Sequence, residues 1–234
     1  MKNGIAAIVL STVAGLASVA HADLTFSFAD PIPGRQLVTT ANAGGPGLAL
    51  VSYDPLARLQ FLVDGSTEPM AFEALFDDAR LSLDLTLGPA ITSGGITTAS
   101  ILGSFAISDA TVPGPAGVIV SGFAQDGAFV RIGGTSSILF STETGFGYTA
   151  GPRLAALLAP DRVITDPMEA VFTVTGISVT GGGPLLNQDG SFRSFTANAS
   201  FSGNSAVENR IVPTPGSALL AVTGALVIAR RRRA

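Results

Sequence analysis

The side chains best equipped for chemistry are a handful of acids. Asp77 and Asp78 stand together, and Asp161, Asp166 and Glu169 form a second, looser grouping. Two carboxylates flanking a sugar linkage suffice for glycoside hydrolysis, one as acid and one as base or nucleophile. No Glu-x-Asp-x-x-Glu run sets such groups along one strand, so solvated loop acids are the plainer reading. Asn187-Gln188-Asp189-Gly190 alternates oxygen ligands before a glycine, as part of a calcium loop does. Its first acidic position is Leu185 and no glutamate follows at the needed spacing, so a hairpin turn accounts for the same residues. Gly145-Phe146-Gly147-Tyr148-Thr149-Ala150-Gly151 misses the spacing of a dinucleotide loop by one residue. It reads as a glycine-rich strand end leading into Pro152.

What the chain lacks narrows the chemistry further. There is no Cys, the sole histidine is His21 and the sole lysine is Lys2. Beyond residue 22 this excludes zinc sites of the Cys/His type, Ser-His-Asp triads, Ser-Lys dyads and Schiff-base chemistry. No cofactor is expected. Sugar platforms favour exposed aromatic rings, especially Trp. This chain has no Trp and only Tyr53 and Tyr148, and its 14 Phe read as core.

Charge is unevenly placed. Lys2 and Arg230, Arg231, Arg232 and Arg233 lie at the two ends, which leaves eight arginines against all 17 acids in residues 23–211. That body carries a net charge near −9, against −4 for the whole chain. An acidic surface repels phosphate backbones, so no nucleic-acid partner is expected.

The ends carry addresses rather than chemistry. Met1 to Ala22 has a short basic start, an uncharged apolar run from Ile5 to Val19, and Ala20-His21-Ala22 as an A-x-A cleavage site. It reads as a secretory signal peptide cut by signal peptidase after Ala22, with Asp23 as the first mature residue. Its fifteen apolar residues rise about 22 Å as a helix, short of the hydrocarbon core of about 30 Å. At the other end Val212-Pro213-Thr214-Pro215 precedes an apolar run, Gly216 to Ala229, and then the four arginines. Arginines just beyond an apolar segment stay on the cytoplasmic side, so the body faces outward.

This layout resembles the PEP-CTERM sorting tail, which exosortase-type membrane proteases recognise in bacteria that export surface and matrix proteins. The usual signature is Val-Pro-Glu-Pro, and Thr214 stands here in place of the glutamate. The resemblance covers residues 212–234 and implies an exosortase-like protease as partner, with transient anchoring in the membrane.

The elements that would carry any site are strands. Leu81-Ser82-Leu83-Asp84-Leu85-Thr86-Leu87 alternates strictly, as do Leu24, Phe26 and Phe28 with Thr25 and Ser27, and Phe195, Ala197, Ala199 and Phe201 with their neighbours. Further strand signals occupy Leu48 to Tyr53, Leu59 to Val63, Ile101 to Ser108, Val118 to Ala124, Ala128 to Ile132, Ser137 to Ser141 and Phe146 to Thr149. Between Ala170 and Thr180 the alternation changes phase near Gly176, which predicts a bulge. Asp64-Gly65, Asp126-Gly127 and Asp189-Gly190 are turn signals, with Asp126-Gly127 the best hairpin. Phe72, Leu75, Phe76 and Ala79 have helical spacing, and Leu154, Leu157 and Leu158 follow Pro152, so two short helices are expected.

The whole predicts an all-β protein: a single antiparallel β-sandwich, jelly-roll-like, with one or two short helices. The signal peptide of residues 1–22 and a C-terminal hydrophobic helix within residues 212–234 flank it. The expected function is that of an exported cell-surface or extracellular-matrix protein of structural or interaction type. The alternatives are a glycan- or calcium-dependent binding module, with extracellular polysaccharide as candidate partner, and a carboxylate-based hydrolase.

Overall fold

The alternating runs become strands because one side of each is apolar enough to bury and the other polar enough to stay wet. Leu81, Leu83, Leu85 and Leu87 are buried while Ser82 and Asp84 are exposed; Leu24, Phe26 and Phe28, and Phe195, Ala197, Ala199 and Phe201, are buried likewise. The computed structural model describes residues 22–29, 34–65, 72–141, 143 and 145–209. Ala20, His21 and the whole tail from Val212, including Pro213, Thr214, Pro215, the apolar run and Arg230 to Arg233, lie outside the described residues.

Twelve strands form one antiparallel sheet: β1 (Ala22–Ala29), β2 (Leu37–Ala41), β3 (Ala49–Tyr53), β4 (Leu59–Gly65), β5 (Phe72–Leu87), β6 (Ile91–Ser93), β7 (Ile96–Asp109), β8 (Val118–Ile132), β9 (Thr135–Ser141), β10 (Gly147–Ala150), β11 (Arg162–Val179) and β12 (Phe195–Asn209). A 3-10 turn at Gly114–Gly117 and a single helical turn, α1 (Pro152–Ala155), interrupt them.

The pairing closes on itself. β1, β4, β5, β7, β8, β9, β11 and β12 each pair with the next in chain order, and β12 returns to pair with β1. β2 and β3 make a second bridge between β12 and β5, beside β1 and β4. This up-and-down order departs from the jelly-roll connectivity expected from the sequence, in which chain-distant strands lie side by side. The interior is filled: Phe105 of β7 meets Phe201 of β12, half the circuit away, with ring centroids 5.5 Å apart, and Phe172 of β11 at the same distance. Eight strands leave an interior just wide enough for such side chains.

The outward face is hydroxyl- and amide-rich. One row across it runs Glu169, Asn204, Thr25, Asp64. A membrane-spanning barrel has the opposite arrangement, apolar outside. Among the described residues no helix is long and apolar enough to cross a membrane.

Bulges account for the departures from the sequence reading. In β5, Asp77 and Asp78 together oppose Gln60, between the pairs Phe61–Phe76 and Leu59–Ala79. The inward residues change from even to odd numbers there, so Phe76 and Ala79 fall three apart and imitate helical spacing. The segment expected as a helix is therefore strand. In β8, Gln125 and Asp126 together oppose Leu102, and the strand runs straight through the Asp126-Gly127 expected as a hairpin. A further bulge, Gly176 and Ile177 against Ala197, is where the phase change predicted it, with Gly176 at φ 60°. β2 and β6 were not anticipated; both are short.

Candidate functional site

A concavity of about 640 Å³ is built around the β5 bulge. The bulge brings Asp77 and Asp78 to one wall, with Leu75 and Phe76 beside them. Asp109 at the end of β7 and Thr111 just beyond it also line the cleft, with Arg153 of α1 and Leu157 just after that turn. Pro152 occupies the first position of α1, where its missing N–H costs nothing, and buried Leu154 pins the turn to the core. Arg153 is thereby held over the Phe76 ring, 5.8 Å from its centroid.

Asp109, which the sequence reading passed over, organises this cleft. Only 5% of it is exposed. Its Oδ2 accepts from Arg153 Nε at 3.0 Å and Nη2 at 2.7 Å, and its Oδ1 from the Thr111 backbone N–H at 3.0 Å and hydroxyl at 2.5 Å. Burial works to raise its pKa, and the Thr111 hydrogen bonds together with the Arg153 guanidinium overcome that and hold it low. With both oxygens occupied, Asp109 fastens α1 to the end of β7 rather than standing ready as a base. The Asp109-x-Thr111 spacing at the end of an apolar run was the available signal.

The neighbouring acids are also engaged. Asp77 Oδ1 accepts from Gln60 Nε2 at 3.2 Å, its carbonyl accepts from Arg58 Nε at 2.7 Å, and Asp78 pairs with Arg80 at 2.9 Å. The other acids singled out are elsewhere. Asp161 is exposed just before β11, Asp166 lies within β11, and Glu169 borders a separate groove of about 410 Å³ with Asp126, Leu139 and Val171. The cleft thus unites Asp77 and Asp78 with Asp109, and Asp161 and Glu169 are not among its lining residues.

Asn187 to Gly190 forms a turn, as expected. Leu186 bridges to Phe192 around it, and Gly190 takes φ 81°. Asp189 Oδ1 accepts from the Ser191 N–H at 2.9 Å and hydroxyl at 2.6 Å, which lowers its pKa. Among the described residues no three His, Cys, Asp or Glu side chains gather closely enough to hold a metal ion. Gly147 to Ala150 form β10, a strand end leading through Gly151 into Pro152.

The aromatics divide differently from expectation. Both tyrosines are buried. Tyr148 donates to the Glu169 carbonyl at 2.6 Å, and burial, reinforced by the Glu169 carboxylate, pushes its phenol far above the ordinary value. Among the described side chains, Phe123 breaks the core assignment, at 54% exposed. Ser121, Phe123 and Gln125 share the outward side of β8, while Val120, Gly122 and Ala124 face in. That polar company was the signal in the sequence. No protein-family model, curated protein or solved structure matches the chain.

Proposed function

We propose that this chain is an exported cell-surface or extracellular-matrix protein of structural or interaction type, sorted by its C-terminal tail. The observation that carries the reading is the order of signals: Ala20-His21-Ala22 at one end, and Val212-Pro213-Thr214-Pro215, an apolar run and Arg230 to Arg233 at the other. The placement of β1 is compatible with it, since its pairs from Asp23–Ala206 to Phe28–Phe201 survive a cut after Ala22. We read the closed circuit as flattened into a two-layer sandwich, with β4, β1, β12 and β11 facing β5, β7, β8 and β9. The ring contacts of Phe105 with Phe172 and Phe201 support this. A carboxylate-based hydrolase is less well supported, because Asp109 has no oxygen to spare.

Mass spectrometry of protein extracted from the cell surface tests the reading. The mature chain should begin at Asp23 and end near Pro215, without the arginine cluster. A surface form that still begins at Met1 and ends at Ala234 would make both ends plain anchors and overturn the sorting assignment.

A further inference from the structure

The outer face of β5, β7, β8 and β10 combines hydroxyls, one carboxylate and an exposed aromatic ring. Strand register sets Asp84, Ser104, Phe123 and Gly147 in one row across four strands. The next row sets Ser82, Ala106, Ser121 and Thr149 beside it. Together they border a shallow depression of about 300 Å³. Four strands at about 4.8 Å spacing make the row about 14 Å long.

Each feature here has a chemical complement. An exposed aromatic ring offers a negative face to C–H groups and removes little entropy when covered. Four hydroxyls donate and accept, and the carboxylate of Asp84, the one ionisable side chain among them, accepts from vicinal hydroxyls. Gly147 has an ordinary backbone φ, and a Cβ there would come no nearer than 3.6 Å to the Met168 sulfur, so neither strain nor crowding demands glycine. Gly147 is the direct cross-strand partner of Phe123 and sets no side chain of its own beside that residue.

We propose that this face binds a neutral polysaccharide, with one sugar ring stacked on Phe123 and its hydroxyls met by Asp84, Ser82, Ser104, Ser121 and Thr149. A polyanion is disfavoured by Asp84 and by the acidic body around it. The proposal rests on the reading that the body faces outward, where such polymers are met. Its test is binding by the purified chain, which can fail while the export reading stands, and the reverse.

The experiment is native gel electrophoresis of the full chain in mild detergent. The gels hold dextran, hydroxyethylcellulose, glucomannan or laminarin, with alginate as the anionic arm. At least one neutral polymer should retard the protein. Phe123→Ala should weaken that retardation about tenfold or more, and Phe123→Trp should preserve it. Gly147→Gln should abolish it by covering the ring, with unfolding curves of all three variants close to the parent's. Retardation by none of the neutral polymers, retardation unchanged in Phe123→Ala, or a preference for alginate would overturn the proposal. So would an oligomer that dissociates on Phe123→Ala without any polymer binding, which would assign the face to a second copy of the chain.

Discussion

Phe105 lies across the backbone of Gly122, its direct partner in the β7–β8 ladder. A Cβ on Gly122 would come within 2.6 Å of the Phe105 ring. That ring also touches Phe172 and Phe201, so it has nowhere to retreat. Gly122→Ala should therefore destabilise by about 2 kcal/mol and lower Tm by about 4–8 °C, measured by thermal and urea unfolding.

The Asp109–Arg153 pair should give stability a defined acid limb. The pKa of Asp109 in the folded state lies below its ordinary value of 3.8. Its contribution is thus complete above that value and is lost as pH falls below it. Asp109→Asn should cost about 1–2 kcal/mol at neutral pH. The gap in urea midpoint between parent and variant should narrow progressively once the pH drops below 3.8.

Tyr148 should impose the opposite limb. Its phenol ionises far above the ordinary value of 10.0 while the chain is folded. The stability it contributes is therefore complete below pH 10 and declines as pH rises further, because the unfolded chain then releases the proton first. Tyr148→Phe should lose about 1 kcal/mol at neutral pH, through loss of the hydrogen bond to the Glu169 carbonyl. The variant should also show a shallower alkaline decline in ultraviolet-monitored unfolding.

Deletions can separate a bulge from a turn. Removing Asp126 would leave Gln125 alone opposite Leu102 and restore regular pairing, with Ala124 and Gly127 still facing inward. That variant should fold, with stability reduced by about 1–2 kcal/mol through lost curvature. Removing Ser121, where β8 is regular, would turn one side of the strand inside out and should abolish the cooperative unfolding transition.

Wherever alternation is unbroken, the strands could be read in the sequence: Leu24 to Phe28, Leu81 to Leu87 and Phe195 to Phe201 all lie as expected. The reading failed where two residues do the work of one. A bulge breaks the period of two, and in β5 the result imitates a helix while in β8 it imitates a turn. At Gly176 the same break was read correctly because a glycine marks it. Circuit closure was illegible, since the β1–β12 pairing joins the two ends of the body and leaves no local trace. The cleft was half legible: Asp77 and Asp78 stand out as a pair, whereas Asp109 gains its Arg153 partner only when α1 folds over it. Phe123 was hidden by its chemistry, because a phenylalanine in an apolar-rich chain reads as core until the parity of its strand is followed.

β12 comes last along the body, and it is the strand that completes the circuit against β1, β2 and β11 together. A chain delivered amino end first can curl its earlier strands into a meander, but the seam stays unstitched until Asn209 has emerged. Joining segments so distant in sequence carries a large loop-closure cost and makes this stitch a slow one. Val212 follows Asn209 almost at once, so under the proposed export reading sealing the body and arresting the tail would fall within the same short stretch of delivery. A chain halted before that stretch would present the bare edges of β1 and β11 as templates for a neighbour.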